Sequence, residues 1–104
     1  MSQANGHIRV VVVGGIERLD KLYRERDDAV KVDTVFHDGH ALGERIDGAD
    51  GVVVIVGVVS HTAAQKATRI TRQRGMPMIR VRSPGLGQVR RSIDELVTRI
   101  AGAA

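Results

Sequence analysis

The sequence contains no cysteine and no tryptophan, and aromatic residues make up only 2% of the chain. Without cysteine there is no disulfide, no thiolate metal site and no cysteine nucleophile. Because aromatic rings are scarce, Val, Ile, Leu and Ala must fill the core, and a protein that stacks single-stranded nucleic-acid bases is disfavoured. No apolar stretch approaches the roughly 20 residues of a membrane span, and no signal segment opens the sequence. These absences predict a cytoplasmic protein with no membrane partner.

The length and the apolar pattern suit one small α/β domain. A four-stranded sheet with a helix after each strand needs roughly 30 residues per βαβ unit, and the chain has 104 residues. Residues 1–7 lack an apolar period and are expected to be a disordered leader, so the domain is expected over residues 8–102. Strands are predicted at 8–13, 30–36, 51–59 and 76–81, and helices at 16–28, 40–46, 60–73 and 86–100.

The alternation of strands and helices predicts the topology. Strands that are each followed by a helix form a parallel sheet with right-handed crossovers. We expect a small doubly wound fold of the flavodoxin or Rossmann type, with four parallel strands in the order 2-1-3-4. Ligands of such folds bind outside the carboxyl ends of the strands, at the switch point between strands 1 and 3.

Three of the four histidines follow the carboxyl ends of predicted strands. His37 and His40 follow strand 2, His61 follows strand 3, and Glu44 lies one helical turn beyond His40. Taken singly, each histidine also suits a polar loop. As a set, these imidazoles and the carboxylate predict a metal site, because both groups are ligands for iron, zinc and manganese.

The spacing within the second helix bears on the oligomeric state. Leu42 and Ile46 lie about 200° around the helix from His40 and Glu44. If the two apolar residues pack on the sheet, the two ligands face outward, and a second subunit would complete the site. A two-fold homodimer duplicates the ligand set. Such a nitrogen-rich set suits a non-haem di-iron centre, with two irons per dimer, that binds dioxygen reversibly.

Five further residues at the same edge are candidates for supporting roles. Asp38 is placed to ligate the metal or to accept an imidazole N–H, and Ser60 is a good helix N-cap. Gly14 and Gly15 leave backbone N–H groups at a helix start, where an anion can bind, although turn geometry alone explains them. Arg82 suits an anion or an ion pair with Asp38.

Two other functions remain open at this stage. One is a mononuclear zinc hydrolase that uses three histidines and a water, with Glu44 as general base. The other is a metal-free module that binds an anion or nucleic acid through Gly14, Gly15 and Arg82. The formal net charge of +4 favours anions, but the scarcity of aromatic rings argues against nucleic acid. The arginines between residues 69 and 91 are interpreted as a solvated basic helix face.

Several segments together resemble a bacterial family called domain of unknown function 2325. They are Val-Val-Gly-Gly in strand 1, Phe-His-Asp-Gly-His after strand 2, Ala-Asp-Gly-Val-Val-Val entering strand 3, Val-Ser-His before the third helix, and Arg-Ser after strand 4. The resemblance implies a Rossmann-like fold and a di-iron centre that binds dioxygen at a dimer contact. Carried to this chain, it points to His37, His40, Glu44 and His61.

Overall fold

The sheet is built from four short, mostly apolar strands. The computed structural model describes residues 7–26, 29–36, 42–57 and 60–103. The strands are β1 (Ile8–Val13), β2 (Val30–Val35), β3 (Gly51–Ile55) and β4 (Met78–Val81). All pair in parallel in the order β2-β1-β3-β4, which confirms the predicted doubly wound α/β fold.

Helices cover both faces of this sheet. They are α1 (Asp20–Arg24), which follows a 3-10 turn at Glu17–Leu19, then α2 (Leu42–Asp47), α3 (His61–Arg74) and α4 (Leu86–Ala103). Side chains of α2 and α3 pack in the core layer on one face, and those of α1 and α4 pack in the layer on the other face. Among the described residues, no helix is long and apolar enough to cross a membrane.

The two central strands contribute to both core layers. Val11 and Val13 point to the α2–α3 layer, while Val10 and Val12 point to the α1–α4 layer. Residues 52–55 of β3 alternate in the same way, and all eight of these side chains are at most 3% exposed. A strand covered on both faces is apolar without alternation, which is the pattern that the sequence shows here.

Both predicted caps of α3 are confirmed. The Ser60 Oγ accepts a hydrogen bond from the Ala63 N–H at 3.0 Å, which satisfies one of the free donors of the first turn. Gly75 ends the helix with φ of 63°, a left-handed conformation that costs glycine least. His61 is therefore the first residue of a helix whose start is well defined.

Two predicted elements end at least four residues earlier in the structure, while β2 loses one predicted residue at its end and β4 loses two at its start. The first helix was expected over 16–28 but ends at Arg24, and Glu25 is extended. Residues 24–28 are all charged, so a continued helix would have no apolar side chain to pack on the sheet. Similarly, β3 was expected to reach residue 59 but ends at Ile55, opposite Val81, the last residue of β4. Its other neighbour, β1, ends at Val13 opposite Val54, so no partner strand extends further.

A buried tyrosine joins two loops at the carboxyl edge of the sheet. Tyr23 is fully buried, and its hydroxyl donates to the Pro84 carbonyl at 2.6 Å. The same oxygen accepts the Ile16 N–H at 3.1 Å. The ring also fills the space beside Gly15, where a Cβ would lie 2.9 Å from the Tyr23 Cε2. Tyr23 thus ties the loop after β1 to the loop after β4.

Replacing Tyr23 with Phe tests this link. The substitution leaves the Pro84 carbonyl and the Ile16 N–H without their hydroxyl partner, so we expect a loss of about 1–3 kcal/mol in the free energy of unfolding. Thr98→Val is the matched control, because it removes an exposed hydroxyl that also donates to a backbone carbonyl. Chemical denaturation should show a loss below about 0.5 kcal/mol for the control. Equal losses in the two variants would contradict the role given to Tyr23.

Glycine is required where the loop after β3 passes the loop after β4. A Cβ on Gly57 would lie 2.4 Å from the Arg82 carbonyl oxygen. Because the clash is with backbone, we expect Gly57→Ala to destabilise the protein by about 1–3 kcal/mol. Gly87→Ala is the control, since Gly87 lies in α4 with open space around it. There alanine should stabilise by up to about 1 kcal/mol. Thermal unfolding of both variants measures the difference, and shifts of the same sign would refute the expectation.

Candidate functional site at the carboxyl edge of the sheet

The parallel strands bring four connecting segments to one edge of the sheet. Because β1 lies between β2 and β3, the Gly14-Gly15 turn lies between the segments that follow β2 and β3. The segment after β4 lies on the far side of β3. This is the switch point at which doubly wound folds bind their ligands. Gly14, Gly15, Ser60, His61 and Arg82, which lie in the described part of the chain, follow the carboxyl ends of β1, β3 and β4 at this edge.

Two of the four predicted metal ligands lie in the described part of the chain. Glu44 is in the first turn of α2, and His61 is the first residue of α3. These helices pack in one core layer on the same face of the sheet, and both begin at its carboxyl edge. Both side chains are exposed to solvent. Among the described residues, neither the Glu44 carboxylate nor the His61 imidazole takes part in an ion pair.

The outward orientation expected of Glu44 is confirmed. Leu42 is 2% exposed and Ile46 is fully buried, both in the α2–α3 core layer, whereas Glu44 is exposed. The three remaining predictions at this site, His37, Asp38 and His40, lie outside the described residues. Within the described ranges, no group of three or more His, Asp or Glu side chains comes together in a metal-binding arrangement.

Two backbone N–H groups at the Gly14-Gly15 turn already donate hydrogen bonds within the protein. Both glycines have positive φ, 96° and 107°, which other residues adopt only with strain. The Gly14 N–H donates to the Val35 carbonyl at 2.8 Å, and the Ile16 N–H donates to Tyr23. Two of the N–H groups that an anion would use are thus already bonded. The use of this turn for an anion stays a prediction with reduced support.

Arg82 and Ser60 are both exposed at this edge. The Arg82 backbone is held against Gly57, and within the described residues its guanidinium forms no ion pair. Ser60 caps α3, as described above, which supplies a structural reason for its place in the sequence. The pairing of Arg82 with Asp38 stays a prediction, because Asp38 is outside the described ranges.

Three of the arginines interpreted from the sequence as a solvated basic helix face line a groove in the structure. This groove of about 710 Å³ runs along the outer side of α3 toward β4, and His61 lies at one end of it. Four cations line the groove: Lys66, Arg69, Arg72 and Arg80. Lys66, Arg69 and Arg72 are each three positions apart in the sequence, and this spacing places them along one side of a helix. The pattern is hard to recognise in the sequence because other arginines stand close to these three.

Comparison with known proteins identifies the family of the chain. No curated protein and no solved structure matches the sequence. A family model does match, and it covers residues 9–96. This range includes every strand except the first residue of β1, Ile8, and it includes all the predicted site residues. The chain therefore belongs to the bacterial family described as "uncharacterized protein conserved in bacteria (DUF2325)".

Proposed function

We propose that this protein binds metal, holding a non-haem di-iron centre at a homodimer contact. There it would bind dioxygen or another small diatomic ligand, for sensing, storage or delivery. The observation that carries the proposal is the placement of Glu44 and His61. They stand exposed in the first turns of two helices that share one face of the sheet.

The donor chemistry supports iron. The predicted set adds the imidazoles of His37 and His40, whose segment joins β2 to α2, to the described imidazole of His61 and carboxylate of Glu44. Imidazole and carboxylate together suit non-haem iron, and they suit zinc or manganese as well. When bound, iron would supply an open coordination position for the diatomic ligand.

The exposure of the ligands supports a dimer. A metal held only by exposed groups on one subunit would remain open to water and exchange freely. A two-fold contact across this edge would cover the site and bring a second copy of each ligand to it. The homodimer and the metal are thus parts of one proposal, and neither is complete without the other.

Elemental analysis with visible absorption tests the proposal directly. Protein loaded anaerobically with ferrous iron should hold about one iron per chain, or two per dimer. On exposure to air it should develop a charge-transfer band that reverses when oxygen is removed. Light scattering should give the mass of two chains. Iron absent after loading would overturn the metal site, and zinc with hydrolase activity would favour the zinc hydrolase instead.

Two separate histidine substitutions, one at the proposed site and one away from it, test the role of His61. We expect His61→Ala to lose at least half of the bound iron, because an imidazole ligand is removed. His7→Ala should keep the full amount, since His7 precedes β1 at the opposite edge of the sheet. Iron content and the visible band are measured for both purified variants. Full iron occupancy in the His61 variant would remove this residue from the site.

The contribution of the Glu44 carboxylate to iron binding can be tested without disturbing the fold. Glu44 is exposed, so Glu44→Gln should change the stability of the metal-free protein by less than about 0.5 kcal/mol. Its iron affinity should fall at least tenfold, because the amide carries no charge. Glu95→Gln on α4 is the control, and its iron affinity should equal that of the native protein. A Glu44 variant with native iron affinity would show that this carboxylate is not a ligand.

A further inference from the structure

The groove beside α3 is a basic surface formed by two elements. α3 buries Ala63, Ala64, Ala67 and Thr71 against the sheet, and therefore turns its opposite side outward. Lys66, Arg69 and Arg72 lie along that side and line the groove. They cover about 9 Å of helix axis at 1.5 Å per residue.

The fourth cation comes from the edge strand. Arg80 on β4 pairs in register with Val54 of β3, and Val54 points into the α2–α3 core layer. Residues paired in register on neighbouring strands point to the same face. Arg80 therefore extends from the α3 face of the sheet. It adds a fourth cation to the row at β4, which is the edge strand of the described sheet.

The arginines of this groove differ from most others in the described chain, because they lack acidic partners. Six of the ten arginines outside the groove form ion pairs with described carboxylates, namely Arg24, Arg26, Arg45, Arg74, Arg90 and Arg99. Even Arg74, at the end of α3, pairs with Asp47. In contrast, Arg69, Arg72 and Arg80 form no ion pair with any described residue. No described Asp or Glu lines the groove.

We propose that this groove binds the phosphate backbone of a nucleic-acid duplex. Its charges form an extended row, whereas a single phosphate or a nucleotide is bound by donors that converge on one point. Arginine is also well matched to phosphate, because its guanidinium donates two parallel hydrogen bonds. The row of charges and the phosphate backbone are thus complementary in sign and in shape.

The scarcity of aromatic residues restricts the proposal to a duplex. Apart from the His61 imidazole at one end, no described residue that lines the groove is aromatic, so single-stranded bases have no row of rings on which to stack. The low aromatic content of the sequence was the reason for disfavouring nucleic acid as a partner. It does not apply to a duplex, whose bases are already stacked and whose phosphates are read by charge alone.

Fluorescence anisotropy with a labelled DNA duplex of about 20 base pairs tests the proposal. The groove variant is Arg69→Gln/Arg72→Gln/Arg80→Gln. The control variant is Arg18→Gln/Lys21→Gln/Arg91→Gln, which removes three exposed cations from the 3-10 turn, α1 and α4. Both variants lower the formal net charge of +4 by three. Circular dichroism and thermal unfolding should match the native protein, since all six side chains are exposed.

The native protein should bind the duplex at low salt, and its affinity should fall as salt rises. The groove variant should bind at least tenfold more weakly, and its log–log salt slope should shrink by about one per arginine removed. The control variant should lose less than threefold. Equal losses in the two variants would assign the binding to net charge and overturn the groove. No binding by the native protein, or tighter binding of the single strand, would overturn the duplex.

Discussion

The fold depends on burying two valine-rich strands on both faces. β1 and β3 occupy the centre of the sheet, and residues 10–13 and 52–55 are almost fully buried. With so few aromatic residues, these β-branched side chains form the centre of both core layers. Burial on both faces requires helices on both faces. That requirement makes the sheet parallel, because a helix must cross over between successive strands.

The parallel arrangement has a direct functional consequence. Every strand of the sheet ends at the same edge, so the segments that follow the strands are neighbours although they are distant in sequence. The Tyr23 hydroxyl strengthens this edge by joining Ile16 and Pro84. Gly15 and Gly57 allow the backbone to pass closely beside Tyr23 and Arg82, respectively. The candidate ligands Glu44 and His61 therefore stand on a firmly packed scaffold while remaining exposed themselves.

The groove beside α3 differs in charge from the surfaces on which arginines pair with carboxylates. Six of the thirteen arginines, all outside the groove, pair with described carboxylates, for example Arg45 with Asp33 and Arg74 with Asp47. Exposed pairs of this kind contribute little to stability, but they neutralise their surroundings. In the groove beside α3, Arg69, Arg72 and Arg80 pair with no described carboxylate, and His61 lies at the end of the groove. The proposed metal edge and the proposed duplex surface thus meet at the start of one helix.

The sequence alone determined the elements, their order and the side of α2 that faces the core. These are local properties: a buried strand is recognised by its apolar run, and a helix face by the spacing of residues such as Leu42 and Ile46. The Ser60 and Gly75 caps were predictable for the same reason, since a cap acts on its own helix. The ends of α1 and β3 were not, because they depend on where neighbouring strands stop and on which apolar residues reach the core.

Only the tertiary structure decided the contacts between distant residues. The hydroxyl of Tyr23 meets a carbonyl 61 positions away, and no sequence pattern encodes that approach. The structure likewise decided which arginines pair and which remain unpaired, because pairing depends on the side chains across the interface between two elements. The metal set is predicted by the sequence through residue type and position after the strands. The structure adds that two of its members lie exposed on one face, because α2 and α3 cover the same side of the sheet.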